Sequence, residues 1–93
     1  MKLRFTWDSE KGKQNRKKHF VSFEEAITVF DDPLSLTIPD ELYSDSEERF
    51  IIVGESTRQR ILVVVHTEEN MVVRIISTRV ATSQERTAYE EGL

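Results

Sequence analysis

Three apolar runs in the second half of the chain constrain its fold more than any other feature. They are rich in β-branched residues, as strands are, and cover Phe50–Gly54, Ile61–Val65 and Met71–Ser77. The links between them are short enough for hairpins, which predicts an antiparallel meander of three strands. The middle run is apolar at every position, so it should lie inside the sheet with helices covering at least one side.

The remaining chain predicts two more strands and three helices. Alternating apolar residues indicate strands at Leu3–Trp7 and Leu34–Ile38. N-cap residues and capping boxes indicate helices over Ser9–His19, Phe23–Phe30 and Thr82–Glu91. The first helix is polar and contains Gly12, so little packing should hold it beyond its ends. The order is strand, two helices, four strands and a helix, which predicts an α+β fold with a mostly antiparallel sheet in one domain, residues 1–93.

Charge is distributed unevenly along the chain. The formal net charge of -4 argues against a general binder of polyanions. No Lys or Arg lies between Phe20 and Arg49, a segment that carries nine acidic residues: Glu24, Glu25, Asp31, Asp32, Asp40, Glu41, Asp45, Glu47 and Glu48. Basic residues flank this acidic block on both sides, which indicates two surfaces of opposite sign. The polar stretch Asp40–Glu48 predicts a mobile loop.

Composition also limits the chemistry that we expect. The chain has no cysteine and two histidines, so we expect no structural metal site, and its 93 residues leave little room for a deep cofactor crevice. The N-terminus lacks the apolar segment of a signal peptide, and no apolar run is long enough to span a bilayer. We therefore expect a soluble, cytoplasmic protein without a cofactor.

Two arginines on and directly after the last apolar run are the leading candidates for a functional site. Arg74 and Arg79 would hold their charges over a surface, where a guanidinium can bind phosphate through two parallel hydrogen bonds. The alternative for Arg74 is an ion pair across the sheet with a carboxylate. These residues predict a site for a phosphate-bearing ligand.

Three segments, in this order along nearly the whole chain, resemble the BrnT family of ribonuclease toxins from bacterial type II toxin–antitoxin systems. They are Phe5–Asp8 with Lys11, Asn15 and Lys18-His19; Val21–Ala26 with Val29-Phe30 and Asp32-Pro33; and Arg74–Arg79 with Ala81, Glu85-Arg86 and Tyr89. The resemblance implies a fold similar to RelE-type toxins and the cleavage of RNA without a metal ion. In that reaction the ribose 2′-hydroxyl attacks the adjacent phosphate.

Such a reaction needs a base for the hydroxyl, cations for the phosphoryl oxygens and an acid for the departing 5′-oxygen. With the resemblance, the catalytic candidates are Arg74, Arg79, His19, Glu48 and His66, and the RNA-binding candidates are Lys11, Lys18, Arg49 and Tyr89. The sequence leaves open which residue is the acid and which the base. Each candidate also has an ordinary structural interpretation: a helix end for His19, the core edge for His66, a salt bridge for Glu48 with Arg49, packing for Tyr89 and a solvated face for the lysines.

The resemblance further implies an RNA substrate and a BrnA-like ribbon-helix-helix antitoxin. The toxin would contact DNA only through this antitoxin. Two departures from the family pattern, Phe20 and the missing turn arginine, favour a second interpretation, in which a decayed toxin binds its antitoxin as a co-repressor. Phe20 stands where the family usually has glycine, Thr78 where alanine is common, and Glu68-Glu69 where many members have an arginine in the turn. If the first position requires a positive φ, Phe20 would be strained there.

Overall fold

The computed structural model describes residues 2–41 and 47–92, which build a five-stranded sheet with helices packed against it. Its elements, in chain order, are β1 Arg4–Thr6, α1 Ser9–His19, α2 Phe23–Thr28, a 3-10 turn Val29–Asp31, β2 Leu36–Pro39, β3 Phe50–Glu55, β4 Ile61–Glu69, β5 Val72–Val80 and α3 Ser83–Glu91. The strands lie in the order β1-β5-β4-β3-β2, and only the β1–β5 pair is parallel. The predicted α+β fold with a mostly antiparallel sheet is confirmed.

The predicted meander is formed by β3, β4 and β5. The β4–β5 hairpin turns at Asn70 and Met71, which both have positive φ, as the type I′ turns of two-residue hairpins require. The strand β4 is central, and Leu62, Val63 and Val64 are all buried. A strand covered on both faces has no polar alternation, which explains the continuous apolar run seen in the sequence.

The strand at each edge of the sheet is short. At one edge β1 pairs with β5, and at the other β2 pairs with β3 and includes Pro39, which an edge strand tolerates because it need not donate to a neighbour. The mobile loop predicted at Asp40–Glu48 has its middle, residues 42–46, outside the described residues.

The core lies between the sheet and the first two helices. Alternation along β4 separates an inner face, with Leu62, Val64 and His66, from an outer face, with Val63, Val65 and Thr67. The inner side chains pack against a cluster from the helical segment: Val21, Phe23, Ala26 and Val29. No helix within the described residues is long and apolar enough to cross a membrane.

The helix α1 is held to the sheet by a buried amide, contrary to the expectation that only its ends would be fixed. Asn15 is 8% exposed, and its Nδ2 donates to the carbonyls of Val21 at 3.0 Å and Thr78 at 2.9 Å. Its Oδ1 accepts from the Thr78 amide at 3.1 Å. The side chain thus takes the place of a neighbouring strand beside Thr78, because β1 pairs only with residues 72–74 of β5.

The turn between α1 and α2 confirms the strain expected at Phe20. This residue has φ 60° and ψ 30°, the left-handed region, and its amide donates to the Arg16 carbonyl at 3.0 Å. A residue with a Cβ atom loses roughly 1–2 kcal/mol in this region, which glycine does not. The chain therefore keeps the turn geometry that glycine would favour and accepts the strain.

The other two helices end differently from each other. The helix α2 is shorter than predicted, because its last part continues as the 3-10 turn up to Asp31. For α3, the predicted Thr82–Glu85 capping box is present, and the helix ends at Gly92, whose φ of 74° is left-handed. The helix α3 lies on the outer face, and none of its described side chains is buried. It is fixed by polar contacts rather than by an apolar stripe.

Candidate active site

A bulge in β5 brings the two candidate arginines to the same face of the sheet. Residues five apart on a regular strand point to opposite faces. In β5, however, Ser77 pairs with Val65 and Ile75 pairs with His66, so Ile76 is an extra residue. Arg74 then lies opposite Thr67 and Arg79 opposite Val63, and both arginines project from the outer face.

Two of the predicted arginines lie at the carboxylate of Glu47, and the charge of a predicted lysine also acts on it. The Arg74 Nη2 donates to Glu47 Oε1 at 2.6 Å, and the Arg49 Nη2 lies 3.9 Å from the same oxygen. The hydrogen bond from Arg74 is the main reason that the pKa of Glu47 lies below its ordinary value, and the charges of Arg49 and Lys11 lower it further. The structure therefore groups Lys11, Arg49 and Arg74 around Glu47.

Glu48 shares an open cleft with Arg74. The cleft has a volume of about 510 Å³ and is lined by Glu47, Glu48, Thr67, Glu68, Glu69, Asn70, Val72 and Arg74. Within residues 2–41 and 47–92, Arg74 holds Glu47, whereas Glu48 takes part in no ion pair. Of these two carboxylates, Glu48 is therefore the one that no arginine of the described residues holds.

Arg79 is held by the N-terminus of α3. Its Nη1 and Nη2 donate to the two carboxylate oxygens of Glu85 at 2.7 and 2.9 Å. The same glutamate accepts from the Thr82 amide in the capping box, and these contacts, led by the hydrogen bond from Arg79, lower its pKa to about 2. Glu85 is thus charged at neutral pH, and the arginine is fixed in a bidentate pair.

His66 lies on the opposite side of the sheet from the arginines. Its side chain is 2% exposed and packs edge-on against Phe30, with ring centroids 4.8 Å apart, while Phe50 lies at 5.9 Å. Burial lowers the pKa of His66, which favours the neutral imidazole. This placement corresponds to the core-edge interpretation of the residue.

Three other predicted residues lie apart from the Arg74 group. His19 is the last residue of α1 and Lys18 is exposed beside it. Tyr89 donates its hydroxyl to Asp32 Oδ2 at 2.5 Å, and this hydrogen bond raises the pKa of Tyr89 to about 12. The same Asp32 oxygen accepts from the Glu55 amide at 2.8 Å, so Tyr89 anchors α3 to the end of β3.

Sequence reasoning missed the two carboxylates that hold the arginines. Glu85 had a usable signal, because the capping box places its carboxylate at the start of α3, close behind the end of β5. Glu47 had none, since it follows a polar stretch and reaches Arg74 only through the fold. Asn15 was noted in the resemblance, but nothing in a polar helix indicated that its amide would be buried.

The comparisons with known proteins agree with this fold. Residues 7–85 match the sequence model of a family described as ribonuclease toxin, BrnT, of type II toxin–antitoxin system. A crystal structure of the Brucella abortus ribonuclease toxin BrnT has a similar fold, with a TM-score of 0.68 and 21% sequence identity over 87% of this chain and 99% of that chain. No curated protein sequence matches the chain. Because the family match spans most of the sequence, the chain belongs to the BrnT family of ribonuclease toxins of type II toxin–antitoxin systems.

Proposed function

We propose that the chain is an endoribonuclease toxin with a RelE-like fold. It cuts RNA in the cytoplasm without a metal ion, inhibits translation, and is neutralised by a BrnA-like ribbon-helix-helix antitoxin. The observation that carries this proposal is the bulge that places Arg74 and Arg79 on one face of β5. Family membership supplies the class of reaction.

Arg74 is the first contact for the scissile phosphate. Its side chain is 43% exposed and gives Glu47 a hydrogen bond from Nη2, so further N–H groups of the guanidinium can bind a phosphoryl oxygen. Lys11 and Arg49 add positive charge next to it. Together they stabilise the charge that builds up on the phosphoryl oxygens in the transition state.

Arg79 contributes once its contact with Glu85 is exchanged for a phosphate. A phosphate presents the same pair of oxygens to the guanidinium as a carboxylate does, so the fork geometry already seen with Glu85 is suitable for the substrate. The side chain is 42% exposed, which allows this exchange without unfolding of the sheet.

Glu48 is the base that this arrangement favours for the 2′-hydroxyl. It lines the cleft that contains Arg74, whereas Glu47 and Glu85 are each held by an arginine. His19 lies apart from Arg74 at the end of α1, so we assign no residue to the acid that protonates the 5′-oxygen. We leave His66 out of the catalytic group, because it is buried on the inner face.

The second candidate function is that of a non-catalytic co-repressor. It is favoured by the charges around the arginines: each is already paired with a glutamate, and the cleft beside Arg74 is lined by four glutamates. Such surroundings oppose the approach of a phosphate. In this case the acidic block would bind basic segments of the antitoxin, and the pair would repress its operon.

Growth under inducible expression separates the two functions. The toxin proposal predicts arrest by the wild-type chain, rescue by co-expressed antitoxin, and loss of arrest in the double variant Arg74→Ala, Arg79→Ala. Arg86→Ala is the matched control, because it removes an exposed arginine of α3 that lies outside the proposed site. Unchanged growth with a folded wild-type chain would favour the co-repressor, and arrest by the double variant would refute our site.

A further inference from the structure

Phe20 combines a strained backbone with an exposed ring. Its φ of 60° belongs to a region that side chains with a Cβ atom avoid, yet the ring is 78% exposed. The backbone is fixed on both sides of this residue, since its amide donates to the Arg16 carbonyl and its own carbonyl accepts from Arg60 Nη2 at 3.1 Å. The backbone that carries the ring is therefore held in place.

The fold gains little from this ring. Phe23, three residues further on, is 1% exposed and packs edge-on against Trp7, whereas Phe20 has no aromatic partner among the described residues. Glycine would adopt the same turn without strain. A strained residue that the fold does not need is an indication of a ligand.

The surroundings of the ring are polar and carry more positive than negative charge. An open cleft of about 380 Å³ is lined by Arg16, Phe20, Ser22, Glu24, Glu25 and Arg58. Glu25 is paired with Arg60, whose Nε donates to it at 3.0 Å, so Arg16, Arg58 and Arg60 together outnumber Glu24 and Glu25 around the cleft. Lys17 and Lys18 on the last turn of α1 extend the positive surface.

We infer that Phe20, with Arg16 and Arg58, is a stacking site for an unpaired base of single-stranded RNA. Proteins bind single strands with an aromatic face for the base and cations for the backbone, and this cleft has both. A protein partner is less suited to it, because Phe20 is the one apolar residue among those lining the cleft. The inference rests on the proposed RNA substrate and adds a second contact to it.

The site is connected to the end of β5 through Asn15. The Asn15 amide bonds to the carbonyls of both Val21 and Thr78, the neighbours of Phe20 and Arg79 in the chain. In the proposed arrangement, a single strand held at Arg79 continues around the sheet to Phe20. The stacking site would hold a nucleotide flanking the cut and so affect substrate binding more than the chemical step.

The test is the affinity of the full chain for a fluorescein-labelled 2′-O-methyl oligoribonucleotide, measured by anisotropy at one fixed salt concentration. This probe lacks the attacking hydroxyl, so binding is measured whether or not the protein cleaves RNA. Phe20→Gly should weaken binding about 5- to 150-fold, which corresponds to roughly 1–3 kcal/mol for one stacked base. Its melting temperature should be equal or higher, because glycine relieves the strain. Phe20→Trp should bind at least as tightly as the wild type.

The controls distinguish stacking from other effects. Leu34→Ala removes another exposed apolar side chain, 70% exposed, and should leave the affinity unchanged. A duplex of the same sequence should not be sensitive to Phe20→Gly, because its bases are paired. Equal affinities of the wild type and Phe20→Gly for the single strand would overturn the inference. This also holds if Phe20→Gly weakens binding of the antitoxin alone. Loss of cleavage in Arg74→Ala with a normal Phe20 effect would show that the two sites are separable.

Discussion

We predict that removal of the buried Asn15 amide greatly lowers the stability of the fold. Asn15→Ala leaves three buried groups without their partners: the Val21 carbonyl, the Thr78 carbonyl and the Thr78 amide. At about 1 kcal/mol for each hydrogen bond, the loss is about 3 kcal/mol, and groups left unsatisfied can raise it further. The better helix propensity of alanine offsets at most about 0.7 kcal/mol.

The assay is thermal unfolding followed by circular dichroism. A loss of this size lowers the melting temperature of a domain of this length by roughly 12–24 °C, at 4–8 °C for each kcal/mol. Gln14→Ala is the matched control, because it removes an amide from the exposed side of the same helix, and its effect should stay within about 0.5 kcal/mol. A fall of less than about 4 °C in Asn15→Ala would refute the view that this amide holds α1 to β5.

Three further predictions follow from the charges, the close packing and the turns of the fold. The depressed pKa of Glu85 gives stability that is present above pH 4.5 and lost as the pH falls towards 2; the shift corresponds to roughly 3 kcal/mol, which exposure of the ion pair reduces to about 1 kcal/mol. The free energies of unfolding of the wild type and Glu85→Gln, measured in urea, should therefore differ at pH 7 and converge near pH 2. Gly54→Ala should lower the free energy of unfolding by about 1–3 kcal/mol in the same assay, because its Cβ would lie 2.9 Å from Val29 Cγ1. Gly12→Ala, whose closest contacts would be 3.5 Å, should be neutral or stabilising, and equal effects of the two variants would contradict this. Met71→Gly should raise the melting temperature by several degrees, since Met71 has a φ of 67° in a turn that favours glycine. A lower melting temperature than that of the wild type would show that the packing of the Met71 side chain matters more.

The strands and helices of this fold could be predicted because each has a local signal. The apolar run at Ile61–Val65 indicated the central strand, and the Thr82–Glu85 capping box indicated the start of α3. The bulge at Ile76 could not be predicted, since nothing in the β5 sequence distinguishes an extra residue from a paired one. Without the bulge, Arg74 and Arg79 would be assigned to opposite faces, so strand periodicity alone argues against the arrangement that the structure shows.

The candidate site could be predicted only in part for a similar reason. Residue type identified the cations Arg74, Arg49 and Lys11, but their partner Glu47 reaches them through tertiary contacts. Residue type also drew attention to His66, and the alternation of β4 buries it against the rings of Phe30 and Phe50. A sequence pattern gives the chemistry of a side chain, whereas the fold decides which face it occupies.

The measurement that tests the central claim most directly is cleavage of a defined RNA by the purified chain in an excess of chelator. Arg74→Ala and Arg79→Ala should each reduce the rate by at least tenfold, Arg86→Ala should cleave like the wild type, and circular dichroism should show that every variant is folded. Cleavage that survives chelation and depends on both arginines is the predicted result. Cleavage that requires a metal ion, or that is unchanged in both arginine variants, would contradict the account.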